Sequence, residues 1–261
     1  MSRVVEYTGN QQAGIWSPAI WGNCDIEDIK ARGEALIWED DFATFGVDGS
    51  AYQIVEDTAG SARLTKVDVG RGGGLEFEHD GATDNDEVNI ELGSGSVSVI
   101  SGFVLEAGTK TWFEAMFQTT NVTDHAFGMA IVLGESGIGA ANMLTDDSAA
   151  LADKSYVGVS VLNADSDLLD FVYNTASGGG EVSVGTKAIA ISTSYSIGIY
   201  SDGTTCWFYF NGEKVDEDGV LLTATDFPNG LDLVPAASTK MGTISGTGSM
   251  TLQGWRVVCD K

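Results

Sequence analysis

The residues able to do chemistry in this 261-residue chain are mostly carboxylates. Hydrolysis of a glycosidic bond needs two of them, about 5–5.5 Å apart for retention and further apart for inversion. A tight E-x-D-x-x-E alternation on one strand would supply such a pair. Glu76-Phe77-Glu78-His79-Asp80 comes nearest, with Glu76, Glu78 and Asp80 on one face of a strand, but the D-x-x-E continuation is missing. Glu87 and Glu91 share a face, four residues apart. Both groups read as the solvated faces of amphipathic strands. Glu114 differs, because it lies inside the apolar run Trp112-Phe113-Glu114-Ala115-Met116-Phe117. A carboxylate there needs a partner. An outward position on a sheet is the simpler reading, and a groove shared by Glu114 and Glu91 is the hydrolytic one.

Other chemistries find less support. The histidines are His79 and His125, and neither has a second His or a Cys at ligand spacing. Zinc and Ser-His-Asp chemistry therefore have no starting point. No G-x-S-x-G elbow, phosphate loop or dinucleotide fingerprint occurs. Gly70-Arg71-Gly72-Gly73-Gly74 lacks the Lys-Ser/Thr that a phosphate loop requires. Residues 80–87 and 163–167 offer enough oxygen ligands for Ca²⁺, but neither follows the EF-hand order. Asp and Asn favour turns by their own geometry. The expectation is a chain without catalytic residues, cofactor or metal. Asn121-Val122-Thr123 fits a glycosylation sequon but is discounted, since the N-terminus shows no apolar signal core.

Charge narrows the partners. Lys and Arg total 13 and Asp and Glu 38, so the net charge is 13 − 38 = −25. Nucleic acid and anionic membrane surfaces need clustered cations, and neither is expected here. No run of about 18 apolar residues is present to span a bilayer. The three cysteines, Cys24, Cys206 and Cys259, are odd in number and far apart, which argues for synthesis in a reducing cytoplasm.

These residues must be positioned by strands. The chain has 34 Gly and only 3 Pro, and short alternating runs are separated by Gly, Asp, Asn and Ser. That is the pattern of a many-stranded antiparallel protein. Val88-Asn89-Ile90-Glu91-Leu92 and Tyr195-Ser196-Ile197-Gly198-Ile199-Tyr200 alternate cleanly, while 112–117 and 127–133 are apolar enough to be central strands. Asp202-Gly203 and Asn211-Gly212 punctuate an aromatic strand, and Asn-Gly is the preferred pair for a type I′ hairpin. Helices are few: Asp25 could N-cap two turns over 25–33, and 146–151 could form a short turn.

Residues 1–35 lack strand alternation yet carry Tyr7, Ile15, Trp16, Ile20 and Trp21. Two tryptophans in an irregular polar segment are poorly suited to water. Either this extended N-terminal arm folds back onto its own sandwich, or it docks on a partner. The division is an arm over 1–35 and a sandwich over 36–261.

The Asp202-Gly203 to Asn211-Gly212-x-x-Val215 hairpin resembles that of concanavalin A-like, laminin G-like jelly rolls. Several other features extend the likeness. They are Trp38-Glu39-Asp40-Asp41-Phe42, the Glu87 to Leu92 run, Trp112-Phe113-Glu114 and Leu252-Gln253-Gly254-Trp255-Arg256-Val257-Val258. Taken whole, the chain resembles phage capsid decoration (cement) proteins with an all-β, concanavalin A-like jelly-roll β-sandwich of antiparallel strands. The resemblance implies a non-enzymatic virion protein on the capsid outer surface, bound to the major capsid protein as a trimeric homo-oligomer. Tyr7, Ile15, Trp16, Ile20 and Trp21 would then be the partner-binding residues of the arm. The alternative is a lectin-like module that binds glycans or receptors through exposed aromatics.

Overall fold

The computed structural model describes residues 5–8, 16–26, 28–29, 35–42, 52–56, 62–68, 73–79, 85–93, 102–120, 127–140, 142–162, 167–176, 178–242 and 248–260. Its strands are β1 (Val5–Thr8), β2 (Ala35–Asp40), β3 (Tyr52–Glu56), β4 (Ala62–Asp68), β5 (Gly73–His79) and β6 (Glu87–Leu92). Then come β7 (Phe103–Val104), β8 (Lys110–Thr119), β9 (Gly128–Glu135), β10 (Tyr156–Val161), β11 (Leu168–Asn174) and β12 (Val182–Ala188). The last are β13 (Tyr195–Ser201), β14 (Thr205–Phe210), β15 (Glu213–Lys214), β16 (Val220–Leu221), β17 (Asp232–Lys240) and β18 (Gly248–Asp260). The α-helical turn α1 (Pro18–Trp21) lies before β2.

The strands form two sheets, with almost every pair antiparallel. The larger runs β1-β2-β18-β8-β13-β14-β15, with β5 and then β4 added beside β18 and β16 beside β14. The smaller runs β12-β11-β10-β9-β17-β6-β3, with β7 beside β17. The exception is β1, which joins β2 in parallel and places Tyr7 opposite Trp38. The all-β sandwich expected from the alternating runs is the fold observed.

Alternation dictates what each face buries. Phe113, Ala115 and Phe117 of β8 point inward with Ile197, Ile199, Phe208, Trp255 and Val257. They meet Ile131, Leu133, Val157, Val159, Phe171, Val88 and Ile90 of the smaller sheet. Each such side chain contributes about 1.5–3 kcal/mol of apolar burial. The opening strand is pinned by a buried polar knot. Tyr52 donates its hydroxyl to Asp40 Oδ2 at 2.7 Å, while Trp38 Nε1 (3.0 Å) and Trp255 Nε1 (3.3 Å) donate to that hydroxyl oxygen. Burial raises the Asp40 pKa, against the hydrogen bonds from Tyr52 and the Phe42 N–H. Asn211 and Gly212 have φ of 50° and 81°, the left-handed pair that a type I′ turn requires.

Both outer faces carry a covering. On the smaller sheet, Ala130, Val132, Val172 and Ala236 are roofed by Ile138, Met143, Leu144 and Leu151 from the β9–β10 connection. On the larger sheet, Ile37, Trp112, Tyr209 and Val258 are roofed by Ile20 and Ile29. The smaller-sheet covering corrects one expectation. Glu87 and Glu91 are not solvated: they are 1% and 2% exposed. Alternation placed them correctly on the outer face, but the connection closes over that face.

Candidate functional site

The outer face of the larger sheet presents two cross-strand rows. In the first, Glu39 of β2 pairs with Arg256 of β18, Arg256 with Glu114 of β8, Glu114 with Gly198 of β13, and Gly198 with Tyr209 of β14. In the second, Ile37, Val258, Trp112, Tyr200 and Trp207 follow the same strand order. Tyr200 stacks on Trp112 (5.6 Å between centroids, 29°) and on Trp207 (5.7 Å, 15°). The first row is charged with a notch at Gly198, and the second is an aromatic ladder.

Residues 16–29 settle on these rows. Ser17 and Pro18 start α1, and Pro at the first helical position is pre-set for that role. The Ser17 N–H donates to Glu114 Oε2 at 2.9 Å, and Trp21 Nε1 donates to the same oxygen at 2.6 Å. Trp16 Nε1 donates to Glu39 Oε1 at 2.9 Å. Ile20 fills the notch, since a Cβ on Gly198 would stand 2.1 Å from Ile20 Cδ1. Asp25 caps the next turn, its Oδ1 accepting from the Asp28 N–H at 3.0 Å, as its position suggested. Burial raises the pKa of Glu114, against bonds from the Ser17 N–H, Trp21 and Ser196 and the charge of Arg256.

The result is a pair of half-buried indoles side by side. Their centroids lie 6.4 Å apart with the planes inclined at 59°. The Arg256 guanidinium carbon sits 4.5 Å from the Trp21 ring centroid, and Arg256 Nε is 3.5 Å from Glu39 Oε2. Chemically this is an aromatic surface with carboxylates and a guanidinium at its base. Such a surface can stack on the apolar face of a ring.

The expected anchor residues fall into place unevenly. Ile20 is buried on its own sheet, and Trp16 and Trp21 lean on it. Tyr7 belongs to β1, its side chain lying outside the described residues, and Ile15 lies outside them altogether. Of the two fates open to the arm, folding back is the one seen for its described residues, 5–8 in β1 and 16–26, 28 and 29 on the outer face.

The hydrolytic pair does not assemble. Glu114 belongs to the larger sheet and Glu91 to the smaller. Glu91 accepts from the Gly137 and Gly139 N–H groups, each at 2.7 Å. Glu87 accepts from Met143 N (2.7 Å), Leu144 N (3.0 Å) and Ser238 Oγ (2.8 Å), and Lys240 Nζ lies 3.4 Å away. These carboxylates hold the β9–β10 connection. His79 Nε2 meets Thr239 Oγ1 at 2.8 Å, a structural contact. His125 and Asp80 lie outside the described residues, as do positions 80–84 and 163–166 of the two oxygen-rich loops. Among the described residues, no three His, Cys, Asp or Glu side chains converge to hold a metal.

No protein-family model matches the sequence, and no curated protein matches it. Solved structures do. A chain from work on endo-acting O-glycanases of the human gut microbiota that initiate mucin breakdown superposes with a TM-score of 0.57. It shares 14% identity and covers 85% of this chain and 98% of that one. The carbohydrate recognition domain of Emp47p gives 0.53 at 12% identity, covering 84% and 94%. Peanut lectin gives 0.52 at 13%, covering 87% and 97%. The fold is the concanavalin A-like jelly roll. Lectins and enzymes both occur among these neighbours, so the likeness fixes architecture and leaves chemistry to the site.

The sequence reading missed the parts that make the site. Glu39 and Arg256 sit inside strand motifs and Gly198 inside an alternating run, with nothing in their types to single them out. Strand alternation puts Glu39 and Arg256 on the outer face, but only register shows them adjacent.

Proposed function

We propose that the chain is a lectin-like carbohydrate-binding module and that Trp16 and Trp21 form its sugar-stacking platform. One observation carries this reading. Two half-buried indoles are held side by side, each by its ring N–H on a carboxylate of the sheet below. Preorganised aromatic rings bind sugar faces with little ordering cost. The neighbours agree in kind, since lectin, recognition-domain and glycanase structures all handle glycans.

The capsid-decoration reading drew on an apolar arm without a home in its own chain. Trp16, Ile20 and Trp21 have that home, so carbohydrate binding ranks ahead of capsid anchoring. The major capsid partner, trimeric assembly and virion location stand on the sequence resemblance alone.

The test is a glycan array probed with the full chain, followed by titration of each hit monitored by tryptophan fluorescence. Trp16→Ala and Trp21→Ala should each weaken binding by about tenfold, as loss of an aromatic anchor does. Their circular dichroism should match the parent. An array without hits, or variants that bind as tightly as the parent, would overturn the proposal.

A further inference from the structure

Resting on that reading, we infer that the Trp16–Trp21 platform takes glycans without negative charge and rejects acidic ones. Selectivity here depends on which charges at the platform remain open to a ligand. Arg256 is the cation of the first row, and it is already engaged on two sides. Its Nε lies 3.5 Å from Glu39 Oε2, the Trp21 ring covers its guanidinium at 4.5 Å, and its side chain is only 13% exposed. A uronate, sialate or sulfate would need such a fork to hold it. Among the described residues, Glu39 and Glu114 lie beneath the indoles, and Asp25 and Asp28 are exposed on the same segment. Lys214 lies further along the sheet, 4.9 Å from the Trp207 ring centroid.

An anionic sugar docked here would meet carboxylates at close range and a field set by a net charge of −25 at long range. A neutral sugar meets no such penalty. Its ring can lie on an indole while its hydroxyls stay in water, since Glu39 and Glu114 are themselves buried beneath the platform. Amino sugars, being cationic, fit the same arrangement.

The experiment uses matched pairs on the full chain. Sialylated glycans are compared with their desialylated forms, and uronic-acid oligosaccharides with their carboxyl-reduced forms, at low and at physiological salt. The acidic member should bind about fivefold more weakly at low salt, the scale of a partly exposed charge contact. That gap should narrow as salt screens it. Glu39→Gln keeps an acceptor for Trp16 but removes the charge that occupies Arg256, so the gap should shrink. If that variant misfolds, the Asp25→Asn/Asp28→Asn pair, on exposed positions, should shrink the gap by about twofold. A role in folding alone would not move this ratio. Acidic members that bind equally or better, through Trp16 and Trp21, would overturn the charge rule and leave the module reading standing. If no glycan of either charge binds, the module reading falls and takes this inference with it.

Discussion

Residues 16–29 cover one outer face of the sandwich, and the connection between β9 and β10 covers the other. Both coverings are irregular, and both hang from carboxylates that project outward from central strands. Glu114 grips the Ser17 N–H and the Trp21 indole on one side. Glu87 and Glu91 grip Met143, Leu144, Gly137 and Gly139 on the other. The difference lies in what faces water. The β9–β10 covering is sealed: Met143 and Leu144 are buried, and Lys240 is enclosed with Glu87 beneath them. The N-terminal covering leaves two indoles half open. A sealed covering completes a core, whereas an open one offers a surface.

The sharpest way to break this comparison is at the sealed side. Lys240→Ala would strand Glu87 in a dry site and should cost about 3–5 kcal/mol of stability. Urea unfolding would show it as a fall in midpoint with little change in slope. A loss comparable to that of a surface substitution would mean that the covering is not sealed.

The next test is at the notch. Gly198→Ala should cost about 1–3 kcal/mol through overpacking against Ile20. In an Ile20→Ala background the same change should cost far less, since the notch is then empty. A double-mutant cycle with coupling under about 0.5 kcal/mol would show that Ile20 is not seated there.

The smallest effect is with pH. Burial raises the pKa of both Glu91 and Glu114 above the ordinary 4.5. An acid whose folded pKa is raised binds protons more readily when folded, so it opposes folding at neutral pH. That opposition is relieved as pH falls through the folded pKa and is gone below about 4.5. Melting temperature should therefore rise on acidification from neutral pH towards 4.5. Glu114→Gln and Glu91→Gln should each flatten the rise, which differential scanning calorimetry would resolve. If neither substitution alters the slope, other acids govern it.

Some of this was legible in the residues. Asn211-Gly212 announced its hairpin, β8 and β9 read as central strands, and Asp25 read as a cap. Trp16 and Trp21 lean on the sheet, as indoles in a polar segment should, but part of each ring stays in water. What failed was the environment of Glu87 and Glu91. Glu87-Val88-Asn89-Ile90-Glu91-Leu92 alternates as a half-wet strand does, and four of the donors that take its carboxylates are backbone N–H groups, which no residue type advertises. The Glu39–Arg256–Glu114 row was hidden for another reason. Its members are more than 70 residues apart, and only strand order makes them neighbours.

The place of β18 has a consequence for how the molecule is made. This strand follows all the others in the chain, yet it is hydrogen-bonded to β2, β5 and β8 at the heart of the larger sheet. During synthesis, β2 and β8 must wait for it with their edges unpaired. Arg256, which underlies Trp21, also arrives with it. Closure of the larger sheet is thus a late event that joins distant parts of the chain, the circumstance in which folding is slow and exposed edges seek other partners. Refolding from urea should show the tryptophan signal of Trp16 and Trp21 developing in the slowest phase, with yield falling as protein concentration rises.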